Sequence, residues 1–242
     1  MPVKTRFYCF NLQLLLNRLN RFIVTLVVYS LFSYQAAAQG IDLGTWHILN
    51  VKYRPNKKLN YFAESQLRSL KFYEQFHYYE FKGGINYKIN NNTQITLGAG
   101  NYQTYKEGGN FETPKNNNEF RLWPQITFSQ DIGKLNLEHR YRAELRWTSN
   151  GYRNRFRYRL AVAYPFGKPT KGFKPYQIGI SNELFLTDKS PFFERNRSQI
   201  NFIYKSSKTH TYQIGYIHQF DYKLNDETGR DFFVLGYYLS IF

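Results

Sequence analysis

The stretch LNLEHRYRAELRW, residues 135–147, decides the fold class of this chain. Its odd positions run from Leu135 to Trp147 and are mostly apolar or aromatic, whereas its even positions, from Asn136 to Arg146, are polar and nearly all charged. Because successive side chains of a β-strand point to opposite faces, this alternation predicts a strand with one apolar and one charged face. Such a strand separates two different media.

The same alternation recurs along the chain. Residues 153–164 carry arginines on one face and apolar side chains on the other, and weaker runs lie at 43–54, 59–68, 77–89, 93–105, 119–130, 175–187, 196–205, 210–222 and 232–242. Globular strands average about 5–6 residues, whereas tilted membrane-spanning strands need about 9–11. The run lengths therefore predict an all-β fold, a transmembrane antiparallel up-and-down β-barrel of 10–12 strands. We count eleven runs, but single-chain bacterial barrels have even strand numbers, so ten or twelve strands are expected.

Composition excludes several other classes of protein. The 242 residues carry a formal charge of +16, and 19% of them are aromatic. Disordered chains are poor in aromatic residues, so disorder is excluded in spite of the charge. A helical membrane protein would need several apolar segments of about 20 residues, and this sequence has at most one candidate, at its N-terminus. The single cysteine, Cys9, excludes a disulfide-stapled scaffold.

The first 38 residues are typical of a secretory signal peptide. Four basic and no acidic residues precede or border a short apolar segment from Phe22 to Tyr34, and the small residues Ala36–Ala38 follow it. This order of features predicts cleavage after Ala38. We expect a signal peptide at 1–38 and one barrel at 39–242; the alternative is an uncleaved N-terminal anchor.

The predicted connections and chain end are typical of an outer-membrane barrel. Tight turns at 90–92, 131–134 and 206–208 alternate with longer segments at 70–76, 106–118 and 223–231, as outer-membrane barrels alternate short turns and long loops. Aromatic residues near strand ends, including Tyr78, Tyr102 and Phe232, are expected to form interfacial girdles. The terminal Phe242 is a signal that barrel-assembly machinery would read. A soluble barrel with its aromatic residues buried inside is the alternative.

If the apolar faces meet lipid, the charged faces line a lumen in which bases outnumber acids. We interpret this lumen either as a narrow anion-favouring channel or binding cavity, or as an interior closed by Arg–Glu ladders that serves only structure or a surface contact. The predicted lumen-lining residues are Glu64, Arg68, Glu80, Lys82, Arg121, Glu138, Arg140, Arg142, Glu144, Arg146, Arg153, Arg155, Arg157, Arg159, Glu183 and Arg197.

A lipid-active enzyme of the acyl hydrolase type is the second hypothesis. His139 and His218 lie on predicted lipid faces, and His139 is a weak candidate for a catalytic base. Its serine partner would be Ser181 or Ser198, and only if the strand register brought one of them close. A nucleophile needs a base within about 3 Å and a third group that orients the base. The histidines show no metal-ligand spacing, and we expect neither a metal nor a cofactor.

The positive charge has a simpler partner than nucleic acid. Glycine-rich phosphate-binding motifs are absent from the sequence, and an exported chain rarely meets nucleic acid. Anionic lipopolysaccharide or phospholipid headgroups explain the charge better. We therefore expect outer-membrane lipid, lipopolysaccharide and small anionic solutes as partners, and no nucleic acid.

Four segments resemble one known family. They are Gly44–Trp46, the run from His139 to Arg146, the run from Arg155 to Leu160 with Pro165, and Asn182–Phe185. Together they are similar to an uncharacterised group catalogued as domain of unknown function 2490, which is regarded as outer-membrane β-barrels of Gram-negative bacteria. The resemblance covers roughly residues 42–242 and implies a fold and an outer-membrane location. It implies no activity and no catalytic residue.

Overall fold

A computed structural model of the protein describes residues 43–169, 172–222 and 228–242. The predicted signal peptide lies outside these residues. Eleven β-strands form one closed barrel in which each strand pairs with its neighbours in the sequence. Among the described residues, no helix has the length and hydropathy that a membrane span requires. The strands are β1 (Leu43–Tyr53), β2 (Leu59–Lys71), β3 (Glu74–Lys88), β4 (Thr93–Lys106), β5 (Glu112–Ile132), β6 (Leu135–Thr148), β7 (Gly151–Phe166), β8 (Tyr176–Thr187), β9 (Phe193–Lys205), β10 (His210–Asp221) and β11 (Thr228–Ile241).

The expected even strand number is wrong. Each of the eleven alternating runs forms a wall strand, and the first of them, β1, pairs with β2 on one side and β11 on the other. An odd number of up-and-down strands leaves the first and last strands running in the same direction. The barrel therefore closes through a parallel pair, in which Leu43 lies opposite Asp231 and Tyr53 opposite Ile241.

Short turns and long loops do not separate cleanly between the two ends. We call the end that holds Phe242 the C-terminal rim and the end that holds Leu43 the N-terminal rim. The segment 70–76, expected to be long, contains only a two-residue turn because β2 and β3 extend into it. The strand ends Phe166 and Tyr176, separated by nine residues in the sequence, lie at the C-terminal rim together with the tight turn at Gly133, whose φ is +60°. Connection length therefore does not assign the ends to opposite sides of a membrane.

The two faces of the wall differ as the alternation predicts. Large apolar side chains on the outer face stay exposed around the barrel, among them Leu97 (57%), Phe156 (51%) and Ile180 (55%). The opposite side chains enclose the interior. Three aromatic residues expected in interfacial girdles lie inside: Tyr78, Tyr102 and Phe232 are buried. They lie two residues from charged residues of the inner face, as Tyr78 does from Glu80, and therefore point the same way. The alternation along the strand, and not closeness to a strand end, determines which way these rings point.

One glycine shows how tightly the interior packs. The ring of Trp123 is fully buried, and it lies against Gly98 on the neighbouring strand β4. A Cβ atom on Gly98 would come within 2.4 Å of this ring. Glycine is therefore required for the close approach of indole and backbone.

Candidate functional site: an arginine-lined interior

Arginine and glutamate side chains of β5–β9 form one connected ion-pair network inside the barrel. At its centre Arg157 donates to Glu144 on β6 (2.6 Å) and to Glu183 on β8 (2.9 Å). Glu144 has no exposed surface. Because an isolated buried charge is very costly, these residues are stable inside only as a set. The network comprises Arg121, Arg140, Arg142, Arg146, Arg155, Arg157 and Arg197 with Glu119, Glu144, Glu183 and Glu194.

The network extends from its centre to both flanking strands. Arg121 holds Glu119 through two parallel hydrogen bonds of 2.8 and 2.9 Å, the bidentate arrangement that a planar guanidinium favours. Glu119 also accepts from Arg146 of the adjacent strand. On the other flank Arg155 reaches over β8 to Glu194 on β9 (2.8 Å). These bonds tie five consecutive strands together through their inner face.

Aromatic rings support the guanidinium groups. The guanidinium of Arg68 lies 3.4 Å from the centre of the Trp46 ring, and that of Arg197 lies 4.7 Å from the same ring. Since Arg68 belongs to β2 and Arg197 to β9, Trp46 connects two separate parts of the wall. Arg121 lies 3.7 Å from the Tyr102 ring in the same manner. Cation–π contacts of this kind hold arginine side chains in fixed positions.

A smaller charged cluster on β2 and β3 completes this part of the interior. Lys82 contacts Glu80 (2.5 Å) and Glu64 (2.7 Å). Arg68 donates to Glu80 (3.1 Å), and the Tyr78 hydroxyl donates to the same carboxylate. Each buried carboxylate therefore has at least one cationic partner.

The C-terminal rim differs, because it holds a group of five basic residues without an ion pair within the described residues. We call Lys52, Arg54, Lys57, Lys58 and Lys88 the basic mouth. They lie at the end of β1, in the turn that follows it, and at the end of β3, and the amide of Lys88 donates to the carbonyl of Lys58 (2.9 Å). Within the described ranges none of the five forms an ion pair, while the Arg54 guanidinium lies 5.4 Å from the ring of Phe242. Their positive charge is therefore available to a solute.

A cavity of about 1510 Å³ runs along the interior, and its lining includes the basic mouth and Arg230 near the N-terminal rim. Eighteen Lys or Arg residues but only six Glu line it, an excess of twelve positive charges. Fifteen of the sixteen residues predicted to line a lumen contribute to this surface, and the remaining one, Glu144, lies behind the arginines that bind it. What this arrangement can do chemically is attract and hold anions.

Sequence reasoning missed several inward residues. Glu119 shares the odd-numbered face of β5 with the predicted Arg121, and Glu194 lies at an irregularity in the β8–β9 pairing, between Phe193 and Arg195. The alternation of β5 could have predicted that Glu119 points inward, because it lies two residues from Arg121. The bulge shifts the alternation near Glu194, so no simple pattern signals it. The basic mouth was also missed because alternation in β1 is weak, where Ile48 and Lys52 share one face.

The two flagged histidines have different surroundings. His139 lies opposite Phe128 and Leu160, and its Nδ1 atom forms a 2.9 Å hydrogen bond with the Tyr158 hydroxyl. Neither Ser181 nor Ser198 is its cross-strand neighbour, since they pair with Ala161 and Asn182 instead. In the part of the chain that the structure describes, His139 therefore has neither the serine nor the carboxylate that a catalytic base needs. His218 is bonded to a carboxylate, Asp231.

A family model described as "Protein of unknown function (DUF2490)" matches residues 43–230. The chain belongs to this family. The resemblance found in the sequence is thus confirmed, and the matched residues include ten complete strands of the DUF2490 barrel and the start of the last. No curated protein matches the chain.

Two solved structures are similar to this DUF2490 barrel. The structure of the NanC porin has a TM-score of 0.45 and 12% sequence identity, and the match covers 74% of this chain and 87% of that one. LpxR from Salmonella typhimurium has a TM-score of 0.44 and 9% identity, with 74% and 83% of the two chains covered. At these identities no residue of either structure is carried over to this chain.

Proposed function

We propose that this protein is an outer-membrane β-barrel whose lumen binds and passes small anions. The observation that carries the proposal is the charge imbalance of the lumen, where eighteen bases face six acids and the basic mouth forms no ion pair within the described residues. Rings of Lys and Arg favour anionic solutes in pores. Carboxylate and phosphate groups are the chemical class that such a surface recognises.

The outer wall supports the membrane location. Exposed aromatic and aliphatic side chains occur on every strand of the barrel, for example Phe81 on β3, Phe120 on β5 and Ile200 on β9. Soluble monomers rarely expose contiguous apolar surface of this extent. A closed barrel also pairs all its backbone groups, as hydrocarbon surroundings require. We expect the purified protein to stay dispersed only in detergent or lipid, and a dispersed, detergent-free monomer would contradict this location.

The lumen supports selective rather than general passage. Side chains that form ion pairs and cation–π contacts fill much of the interior between β5 and β9, and the Trp46 ring contacts the guanidinium groups of both Arg68 and Arg197. A barrel of this size leaves little free bore once long side chains occupy it. Solutes would therefore exchange hydration for contacts with arginine and lysine, which selects by charge and by size.

Two further partners follow as proposals from the location. Lipopolysaccharide and other anionic outer-membrane lipids would contact the basic residues at the rims. The C-terminal Phe242, a residue that is 64% exposed, would be recognised by the barrel-assembly machinery. Removal of Phe242 should lower the yield of assembled barrel in outer-membrane fractions, whereas an unchanged yield would contradict this role.

Conductance across a planar lipid bilayer tests the proposed function. Across a potassium chloride gradient, the wild-type barrel should give a reversal potential of the sign that chloride selectivity requires. The variant with Lys57→Gln, Lys58→Gln and Lys88→Gln should move this potential toward zero while leaving the network intact. A cation-selective current would contradict the proposal. Absence of current from folded, inserted protein would exclude passage and favour a barrel that serves only as a surface contact.

A further inference from the structure

A polar row interrupts the apolar outer wall near the N-terminal rim. Asn182 on β8, Ser198 on β9, His218 on β10 and Asp231 on β11 are consecutive cross-strand partners. Side chains that are direct partners on adjacent antiparallel strands share one face, with Cβ atoms about 4.5–5.5 Å apart. The strand register therefore places a serine, a histidine and an aspartate in one line on the outside of the barrel.

The carboxylate of this row orients the imidazole. Asp231 Oδ1 accepts a 2.8 Å hydrogen bond from His218 Nδ1, and the Tyr216 hydroxyl donates to the same oxygen. The Asp231 side chain is only 14% exposed, whereas the His218 side chain is half exposed. A carboxylate that fixes Nδ1 in its protonated form leaves Nε2 as the basic nitrogen, which is the arrangement of a catalytic base.

The serine has a donor beside it. Ser198 is exposed on the outer face, and its Oγ atom accepts a 3.0 Å hydrogen bond from the Asn182 amide. Side-chain amides of this kind stabilise the oxyanion of acyl transfer when they lie next to the nucleophile. Within the described residues no hydrogen bond joins Ser198 to His218. Such contacts are often longer in the absence of substrate and shorten when it binds.

An apolar groove lies on the same outer face. It has a volume of about 420 Å³, within the range of small-molecule sites. Ile214 and Leu235 line it, each four residues along its strand from His218 and Asp231 respectively. At about 3.3 Å per residue the groove begins about 13 Å from the histidine. An extended acyl chain would bridge this distance, because its ester end can lie at the row while its tail occupies the groove.

From this geometry we propose that the outer wall carries an acyl-ester hydrolase site for membrane lipids, with Ser198 as nucleophile, His218 as general base and Asp231 as the group that orients it. The proposal rests on the location of the outer wall in lipid and not on conduction through the lumen. The proposed base is therefore His218 and not His139, which has neither a serine nor a carboxylate partner among the described residues.

The reaction balances with water as the only co-reactant. Ser198 Oγ attacks the ester carbonyl carbon, and its proton passes to His218 Nε2 while Asn182 donates to the oxyanion. The carbon–oxygen bond to the alcohol then breaks, and the alcohol leaves with the proton from His218. Water attacks the acyl-serine ester, giving its proton to His218, and the fatty acid leaves as Ser198 regains a proton. Ester and water thus become acid and alcohol.

The test measures release of fatty acid by mass spectrometry. The full-length folded protein is incubated in detergent micelles with phosphatidylethanolamine in one arm and with lipid A in the other. We expect release in at least one arm, which also identifies the source of the ester. Ser198→Ala and His218→Ala should each lower the rate by about 10³-fold or more. His139→Ala is the matched control, an outward histidine without a carboxylate, and should keep the wild-type rate.

A second readout is independent of the choice of lipid. A fluorophosphonate probe forms an Oγ–phosphorus bond with an activated serine and releases fluoride, so peptide mass spectrometry should locate the adduct at Ser198. Loss of the adduct in His218→Ala, with folding verified by resistance of the barrel to unheated SDS, separates activation from structure. The proposal is overturned if the wild type releases no fatty acid in either arm, if Ser198→Ala retains its rate, or if His139→Ala loses as much as His218→Ala. A normal conductance would not rescue it.

Discussion

The ion-pair network and the basic mouth contain the same kinds of basic side chain in different surroundings. In the network Arg157 has two carboxylate partners and its side chain is 11% exposed, so its charge is neutralised within the protein. In the mouth Lys57, Lys58 and Lys88 are exposed and form no ion pair within the described residues. Basic side chains therefore have two roles in this barrel, which depend on whether a carboxylate is paired with them. Paired charges hold strands together, and unpaired charges create a potential that a solute experiences.

The largest expected effect comes from breaking the network at its centre. Glu144→Gln leaves Arg157, Arg142 and Arg155 with one fewer negative charge in a fully buried location. Breaking a buried ion pair costs about 3–5 kcal/mol. We expect the free energy of unfolding, measured by urea titration in detergent, to fall by this amount.

A matched carboxylate at the rim provides the control for that variant. Glu107 pairs with Arg230 at 2.6 Å but is 57% exposed. Exposed pairs contribute about 0–1 kcal/mol, so Glu107→Gln should leave the unfolding free energy nearly unchanged. Equal losses in Glu144→Gln and Glu107→Gln would show that burial of the network does not determine its energetic role.

The next largest effect tests which face of β7 meets hydrocarbon. Leu160 lies on the outer face between positions 159 and 161 of the inner face. Leu160→Arg should lower the unfolding free energy in lipid vesicles by about 2–4 kcal/mol if this position lies near the bilayer midplane. Leu160→Phe is the size-matched apolar control. Arg157→Leu should change the lumen and its conductance more than membrane insertion. Insertion of Leu160→Arg into vesicles to the same extent as Arg157→Leu would reverse the assignment of faces.

A smaller effect distinguishes the mouth from the network directly. Lys57→Gln removes an exposed charge that forms no ion pair within the described residues, so the unfolding free energy should change by less than about 0.5 kcal/mol. The anion preference of the conductance should nevertheless decrease, because the lysine lines the cavity. A loss of stability with an unchanged reversal potential would place Lys57 among the structural charges instead.

The smallest expected effect is the response to salt. Raising the ionic strength from about 0.1 to 1 M shortens the screening length from about 10 to 3 Å. Solvated charges of the mouth would be screened, so the anion preference should decrease. Buried pairs such as Arg121–Glu119 are screened much less. The urea midpoint should therefore change little over this range, and a parallel decrease of both quantities would contradict the distinction.

Much of the wall could be predicted from alternation alone. All eleven runs are strands, and parity located Arg157 and Glu183 on the face that encloses the cavity. Alternation could not predict how the first and last strands pair, because the pattern within one strand carries no information about the strand beside it. The prior that barrels have even strand numbers gave a wrong expectation there. The sequence also does not show the strand register, and for this reason it favoured His139 over His218. Only the pairing of β10 with β11 shows that Asp231 lies beside His218.

The sequence by itself determined that this chain forms long strands with one apolar and one basic face, because a period of two residues is a property of the local backbone. It also determined the excess of positive charge. Only the tertiary structure decided that the barrel closes through the parallel pair of β1 and β11, and that Ser198, His218 and Asp231 share one row. It also decided that Glu144 neutralises several arginines, while Lys57 forms no ion pair within the described residues. These are relations between strands, and they depend on register and closure, which no single strand encodes.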